Sequence, residues 1–568
     1  MRKKSRNERR FTPVYSMRQY VANWEGHGDK IAFRYYTGNH QLTEMSYRTL
    51  TGMVRDMAAG FASLGLAGKR VAVVGETSPA WVTAYLATVA GGGVAIPMDK
   101  ELPTEELLRF LVRAKADALV YPYAFHAKLA DAYDTHQTVQ FFIPMEGGPD
   151  LPAHPKVVPF DRVLALGAEQ QGYDFPQTED PNRLAQLLFT SGTTGTSKCV
   201  MLSEKNITSA VNAACGSVEF FPEDTLMSVL PIHHTYELTC GILAGMNYGM
   251  CVGINDSLKY VLKNFAVFRP TGMASVPLLV NTMYKKIWDE AAKKGKTGQL
   301  RFAIRLSQLL RLFGIDIRRK LFADIHAAFG GRLEKIVSGG APLNPELVEK
   351  FEAFGIDVAE GYGITECSPL VAVNPYFAPK KGSVGPAVSC CTVKILDGAP
   401  NDKGFLEGEI AVKGDNVMLG YADDEAANAE VFTEDGYFRT GDVGYLDEDG
   451  YIYITGRKKS VIVLDNGKNV FPEELEEYLS QIEGIAEAVV LGRQQAGDEA
   501  VVLTAIVVPN TDSFAPGTPL ADMEAKLKAD IAAMNRKLVF HKQIRAVEIR
   551  TEPFEKTTSR KIKRHLVK

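Results

Sequence analysis

Residues 70–98 read RVAVVGETSPAWVTAYLATVAGGGVAIPM. Ala80 to Met98 carries no charge in 19 residues, long enough to cross a bilayer. Gly91-Gly92-Gly93 and Pro97 break that run, however, and Ser78-Pro79 before it has the form of an N-cap followed by a proline at the first helical position. The stretch therefore reads as a strand over 70–74, a helix over 79–90 and a second strand, a β-α-β unit rather than a membrane span. A second uncharged stretch, Leu238 to Ile254, is interrupted by Gly245, Asn247 and Gly249 and reads the same way. No transmembrane segment is expected.

Working outward, short apolar runs recur at ALVYPY (118–123), SVL (228–230), MCVGI (250–254), GMASV (272–276) and KIVSGG (335–340), with helical patterns between them. Strands alternating with helices predict an α/β fold with largely parallel sheets. The texture changes near Lys381, where VKILDG, GEIAVKG and GYIYITG read as glycine-punctuated antiparallel strands of a small β subdomain. It changes again in the last hundred residues. A helix over 472–481, the strands AEAVVLG and AVVLTAIVVP, an amphipathic helix over 521–538 and the strand AVEIR predict a compact α+β unit. The expected division is a large N-terminal domain, 1–455, that includes the β subdomain from about 381, a hinge at 456–460 (GRKKS), and a mobile α+β C-terminal domain, 461–568.

The 568 residues carry a net charge of −4, so the surface as a whole makes no electrostatic case for nucleic acid. Seven cysteines, an odd number without CxxC or Cys/His spacing, predict free thiols in a reducing compartment. The basic N-terminus MRKKSRNERRF leads into no apolar core and so is no secretory signal, which together predicts a cytoplasmic protein. That N-terminus and the basic amphipathic segment 301–320 are candidates for peripheral contact with an anionic inner membrane face, each also readable as a solvated tail or face. No pattern fixes an oligomeric state.

The chemistry begins at residues 189–202, FTSGTTGTSKCVML. A P-loop would place its second glycine beside the lysine and a magnesium-binding hydroxyl after it. Here Gly195 precedes Lys198 by three residues and Cys199 follows it. LAQLLF before and CVML after both read as strands, with a helix only from Ser203. The loop therefore joins two strands, and its glycines let backbone N–H groups turn inward on an anion; the plain alternative is a hydroxyl-rich hairpin turn.

Thr190-Ser191-Gly192-Thr193-Thr194-Gly195 with Lys198 resembles the phosphate-binding signature TSGTTGxPKG of the adenylate-forming (AMP-binding) superfamily, with Ser197 in place of its proline and Cys199 in place of a glycine. Further motifs of that family follow in order. Ser338-Gly339-Gly340-Ala341-Pro342 resembles the segment lining the adenine pocket. Gly361-Tyr362-Gly363-Ile364-Thr365-Glu366 resembles the motif whose tyrosine stacks on adenine, whose threonine meets the α-phosphate and whose glutamate holds magnesium, with Thr193 as the second position near the metal. Tyr437 to Asp442 resembles the motif whose aspartate accepts both ribose hydroxyls, a role suited to a group that only accepts hydrogen bonds. Arg457 matches an arginine reaching ribose or phosphate, Lys459 the hinge residue, and Gly467 with Lys468 the face past which the thiol carrier enters. His234 sits at the family's gate beside the acyl carboxylate, with His233 as the alternative. Lys556 to Ile562 resembles the terminal motif KTxSGKI, which makes Lys561 the catalytic lysine and Lys563 its rival; Arg560 replaces the motif's glycine.

The resemblance implies ATP-dependent activation of a carboxylic acid to acyl-AMP, then transfer to a thiol with release of pyrophosphate and AMP. ATP and CoA would be co-substrates and Mg²⁺ the cofactor. YGITECSP, GRKKSVIVLDNGKNVFPEELE and RKLFADIHAAFGGRLEKIVSGGAPL are most similar to bacterial long-chain fatty acid–CoA ligases, implying a fatty acid as substrate. The alternatives are an acyl-acyl carrier protein synthetase, a medium-chain or aryl-acid CoA ligase, and a silent acyl or nucleotide sensor on the same scaffold.

Overall fold

The computed structural model describes all residues except 1–10, 39, 191–196, 465–468, 495–500, 557–561 and 568. The opening stretch folds as read: strand Arg70–Val74, helix Pro79–Ala90 and strand Val94–Met98, with Ser78 accepting from the N–H of Trp81. All but one of that helix's twelve residues are buried. An apolar helix of this kind has no polar face because protein surrounds it on all sides, which accounts for the missing charges without a membrane. Among the described residues no helix is long and apolar enough to cross a membrane.

The two strands pair in parallel within a seven-stranded sheet, in the order Gly420–Tyr421, Lys198–Ser203, Leu184–Thr190, Val94–Met98, Arg70–Val74, Ala118–Tyr121 and Phe141–Pro144. The first two of these strands run antiparallel to their neighbours and the rest are parallel. An eight-stranded sheet runs Leu370–Val373, Asp357–Gly363, Lys335–Ser338, Gly272–Ser275, Thr225–Ser228, Cys251–Ile254, Ile31–Tyr36 and Leu42–Ser46. Its outermost strand at each end is antiparallel and the interior is parallel. One hydrophobic core joins residues of both sheets (Val71, Val73, Leu226, Val252) to the helices Tyr47–Ser63, Pro79–Ala90 and Glu204–Ser217 between them in sequence.

One strand differs from the sequence reading. The expected strand 228–230 is instead Thr225–Ser228, since all four residues pair with Cys251–Ile254 while Val229 and Leu230 run past the end of that partner. Likewise, Lys381 to Cys390 forms no strand, only turns at 381–382 and 389–390 and an isolated antiparallel bridge of Ala387 with Ala372, and the antiparallel strands begin at Cys391.

The chain divides into two compact units. The larger holds the described residues of Met1–Gly192, Thr196–Thr392 and Val412–Phe438; the smaller holds those of Val393–Ala411 and Arg439–Lys568. A four-stranded sheet, ordered Cys391–Pro400, Leu406–Gly414, Phe438–Leu446 and Ile452–Arg457, belongs chiefly to the smaller unit. That unit also carries the α+β arrangement expected near the C-terminus. Strands Ile485–Gln494 and Val501–Pro509 are antiparallel, Ala546–Ile549 adds in parallel, and helices Pro472–Ser480 and Leu520–Asn535 supply Leu475, Leu479, Leu527 and Ile531 to their core. All seven cysteines are free.

Candidate active site

In the larger unit, the phosphate-loop motif is carried by an antiparallel hairpin in which Thr190 pairs directly with Lys198. The helix that follows starts at Glu204 with a capping box: Ser203 Oγ accepts from the Asn206 N–H, and Asn206 Oδ1 accepts from the Ser203 N–H. Ser191, Gly192, Thr193, Thr194 and Gly195 lie outside the described residues. The hairpin's outer neighbour is the short strand Gly420–Tyr421, which brings in a residue that motif reading missed. Tyr421 donates its hydroxyl to Glu366 Oε1 at 2.8 Å, and the Lys198 ammonium lies 4.3 Å from the centre of its ring. Thr190, Lys198, Tyr421 and Glu366 are thus one constellation. Burial and the adjacent Glu366 carboxylate push the Tyr421 phenol up from its ordinary pKa, so it remains a donor. No spacing rule connects Tyr421 to either partner, which are 55 and 223 positions away in sequence.

Glu366 is fixed at its backbone as well, its carbonyl accepting from the Met418 N–H at 2.8 Å. Thr365 and Glu366 sit in the one-turn helix Thr365–Cys367 that follows the strand Asp357–Gly363. Gly363 is required there by space, since a Cβ would lie 2.1 Å from the Pro369 carbonyl oxygen. Gly339, Gly340, Gly361, Tyr362 and Gly363 all border one cavity, and Ala341 and Pro342 lie exposed beyond it.

That cavity is lined mostly by apolar groups. Past the glycines it runs between Ala214, Phe220, Leu226, Tyr236, Cys240 and Tyr248. Tyr236, Cys240, Gly241, Ala244, Gly245 and Tyr248 recur every four to five residues because Tyr236–Leu243 is π-helical and continues into the α-helix Ala244–Asn247. Such widened turns occur frequently at functional sites. Cys240 keeps accessible surface while burial pushes its thiol up to about 12, so the surface it exposes belongs to an interior space. The Tyr248 ring is held in place by donation to the Val218 carbonyl at 2.6 Å and by edge-on contact with Phe220.

His233 and His234 precede the π-helix with ring centres 4.2 Å apart. His233 Nε2 is 3.5 Å from Asp99 Oδ2, but burial and His234 hold its imidazole well below the ordinary histidine pKa and so neutral. Glu237, on the first turn of the π-helix, is wholly buried, and neither carboxyl oxygen makes a hydrogen bond of normal geometry. Desolvation pushes its carboxyl up to about 8, offset in part by the nearby Ser228 hydroxyl and the backbone of Val229 and Leu230. The fold therefore holds a proton that the unfolded chain releases near 4.5, so the contribution of Glu237 to stability falls as pH rises from about 4.5 to about 8 and then levels off. Glu237→Gln should flatten that slope, raising Tm relative to the wild type most at alkaline pH. Parallel Tm–pH curves for the two proteins would refute this.

In the smaller unit, Asp442 and Arg457 are directly opposed on paired strands, with Arg457 Nε 3.0 Å from Asp442 Oδ1. Asp442 is buried and its N–H donates to Thr440 Oγ1 at 3.1 Å. Lys459 is exposed on a single 3₁₀ turn, Lys458–Ser460, while Lys458 pairs with Glu409 at 2.8 Å. Lys556 and Ile562 form an antiparallel bridge, and Lys563 Nζ lies 4.0 Å from Glu555. Lys561, Gly467 and Lys468 lie outside the described residues. Among the described residues no cluster of three His, Cys, Asp or Glu could hold a metal ion.

The AMP-binding enzyme family matches residues 21–422, and the AMP-binding enzyme C-terminal domain matches 459–568. The long-chain-fatty-acid–CoA ligase FadD15 of Mycobacterium bovis is 31% identical over 479 residues, covering 79% of this chain and 75% of the relative. The long-chain-fatty-acid–CoA ligase 5 of Rattus norvegicus is 29% identical, covering 78% and 67%. In fold, the chain is similar to the adenylation domain of a carboxylate reductase from Mycobacterium chelonae, with a TM-score of 0.81 at 21% identity over 98% of this chain and 89% of that one.

Proposed function

This chain belongs to the AMP-binding enzyme family, and from that premise we propose that it is an AMP-forming acid–CoA ligase for long-chain fatty acids. The observation that carries the substrate is the cavity: an apolar chamber whose wall passes without a break into Gly339–Gly340 and Gly361–Gly363, the segments that resemble the adenine site. A fatty acid lying in it would present its carboxylate to the nucleotide and its tail to Cys240, Phe220 and Tyr248.

The substrate carboxylate oxygen attacks the α-phosphorus of ATP and pyrophosphate leaves. The CoA thiol then attacks the acyl carbon, AMP departs with the carboxylate oxygen, and the thiol proton passes to solvent. Neither step needs a protein nucleophile, so the chain works by positioning and charge stabilisation. Tyr362 would stack on adenine, Asp442 with Arg457 would hold the ribose diol, and the 190–195 loop with Lys198 would hold the departing phosphates. His234 would stand beside the acyl carboxylate. Lys561 would serve the first step, and Gly467 and Lys468 the second, after rotation about the 456–460 hinge at Lys459.

Glu366, with Thr193, would hold a magnesium ion that screens phosphate charge. The donor set fits, because this hard cation takes one or two protein oxygens and completes its shell with phosphate and water. Tyr421 positions Glu366 for that task. Tyr421→Phe, which removes only the hydroxyl, should slow adenylation about tenfold, the scale of one hydrogen bond to a charged group. Its defect should be largest at limiting Mg²⁺; a loss independent of Mg²⁺ would count against the positioning role.

The function is tested by carboxylate-dependent ATP–pyrophosphate exchange across acids of increasing chain length, followed by AMP release with CoA or acyl carrier protein. Exchange should rise with chain length and AMP release should require CoA. Absence of exchange with every acid would overturn the ligase, while preference for acetate or benzoate would overturn only the fatty acid.

A further inference from the structure

The phosphate loop differs from the signature it resembles at its exit, where Ser197 stands in place of a proline and Cys199 in place of a glycine. A proline at 197 would fix one backbone dihedral, and serine leaves that dihedral free to turn. A loop with a freer end loses more conformational entropy when it closes on a ligand.

A side chain from outside the motif restrains that end. The helix Thr104–Arg113 finishes beside the hairpin, and the Arg113 guanidinium donates to the Ser197 carbonyl. The same guanidinium stands 5.6 Å from the centre of the Phe189 ring. Phe189 immediately precedes Thr190 on the entry strand, and Ser197 immediately precedes Lys198 on the exit strand. One arginine thus touches both limbs of the hairpin, at the points where the loop begins and ends. Arginine suits this task, since its planar fork stacks on a ring and still donates in its own plane.

The ring that Arg113 rests on is itself held. Phe110, on the same helix, stacks on Phe189 with centres 4.2 Å apart and planes at 5°. Phe189 is paired across the hairpin with Cys199, which is buried in the same cluster as Phe110. The side chain that replaces the signature's glycine is therefore part of the packing that fixes Phe189.

We propose that Arg113 is a positioning residue for the phosphate loop, holding its exit at Ser197 in place of the proline that the signature has there. The inference rests on reading residues 190–195 and Lys198 as the clamp for the departing phosphates. Arg113 acts on that clamp through Ser197 and not on the substrate.

The test is ATP–pyrophosphate exchange by the full chain carrying Arg113→Ala. KM should rise about fivefold for both ATP and pyrophosphate, the scale of one exposed guanidinium contact, with kcat within about twofold of the wild type. AMP release from preformed acyl-AMP with CoA should be unchanged, because no β- or γ-phosphate takes part; the same reaction shows that the variant folds. Arg113→Ala/Ser197→Pro should bring KM for ATP back to within about twofold of the wild type, since proline restores the fixed dihedral. An unchanged KM in Arg113→Ala, an equal loss in the acyl-AMP reaction, or no recovery in the double variant would overturn the proposal. Lys198→Ala separates this inference from the reading beneath it. If it raises KM for pyrophosphate while Arg113→Ala does not, the positioning role fails and the clamp stands. If neither raises it, the clamp itself is wrong.

Discussion

Cys240→Phe is expected to lower kcat/KM for hexadecanoate by about a hundredfold while leaving octanoate within a few-fold of the wild type. Cys240 borders the cavity and keeps accessible surface there, so a larger side chain grows into empty space rather than into packed neighbours. The ring would occupy room that the distal part of a long tail needs. Each methylene shut out of an apolar site forfeits roughly 0.8 kcal/mol. Excluding four of them costs about 3 kcal/mol, and a factor of ten corresponds to about 1.4 kcal/mol. An acid that ends before Cys240 loses none of this. The check is kcat/KM across saturated acids for both proteins, with Cys240→Ala as the control that keeps long-chain activity. A uniform loss at every chain length would mean that the substitution disturbs the nucleotide site or the fold instead.

Sequence showed the local features because local geometry decides them. The N-caps Ser78 and Ser203, the helix 79–90 and the hairpin pairing Thr190 with Lys198 each follow from residues within one turn or one strand of each other. Asp442 and Arg457 were both legible as motif positions, though only strand register shows that they face each other. The cavity was not legible, because its walls come from distant segments between Ala214 and Val373 and no periodicity spans them. Nor was the π-helix at Tyr236–Leu243, whose extra residue per turn leaves no compositional mark. Tyr421 escaped for the same reason as the cavity: its partners are set by a two-residue edge strand that carries no strand-length pattern. Even the shift of one strand to Thr225–Ser228 has this origin, since the neighbour Cys251–Ile254 decides where pairing ends.

Lys561→Ala is expected to slow acyl-adenylate formation by about 10²–10³, the usual cost of removing one preorganised group that stabilises transition-state charge. Negative charge accumulates on the α-phosphate oxygens as the carboxylate attacks, and an ammonium there strengthens its interaction during the reaction rather than before it. The substitution should therefore reduce kcat with little change in KM for ATP. Lys556 and Ile562, on either side of that position, bridge each other, and Lys556 also pairs with Glu487. Lys563, the alternative, is engaged with Glu555, and Lys563→Ala should leave adenylation nearly unchanged. The second half-reaction separates the roles further. Supplied with preformed acyl-AMP, Lys561→Ala should release AMP with CoA at close to the wild-type rate, because the proposed rotation about 456–460 replaces Lys561 with Gly467 and Lys468. Equal losses in both half-reactions would show that residue 561 supports the structure of the C-terminal segment rather than the reacting phosphate.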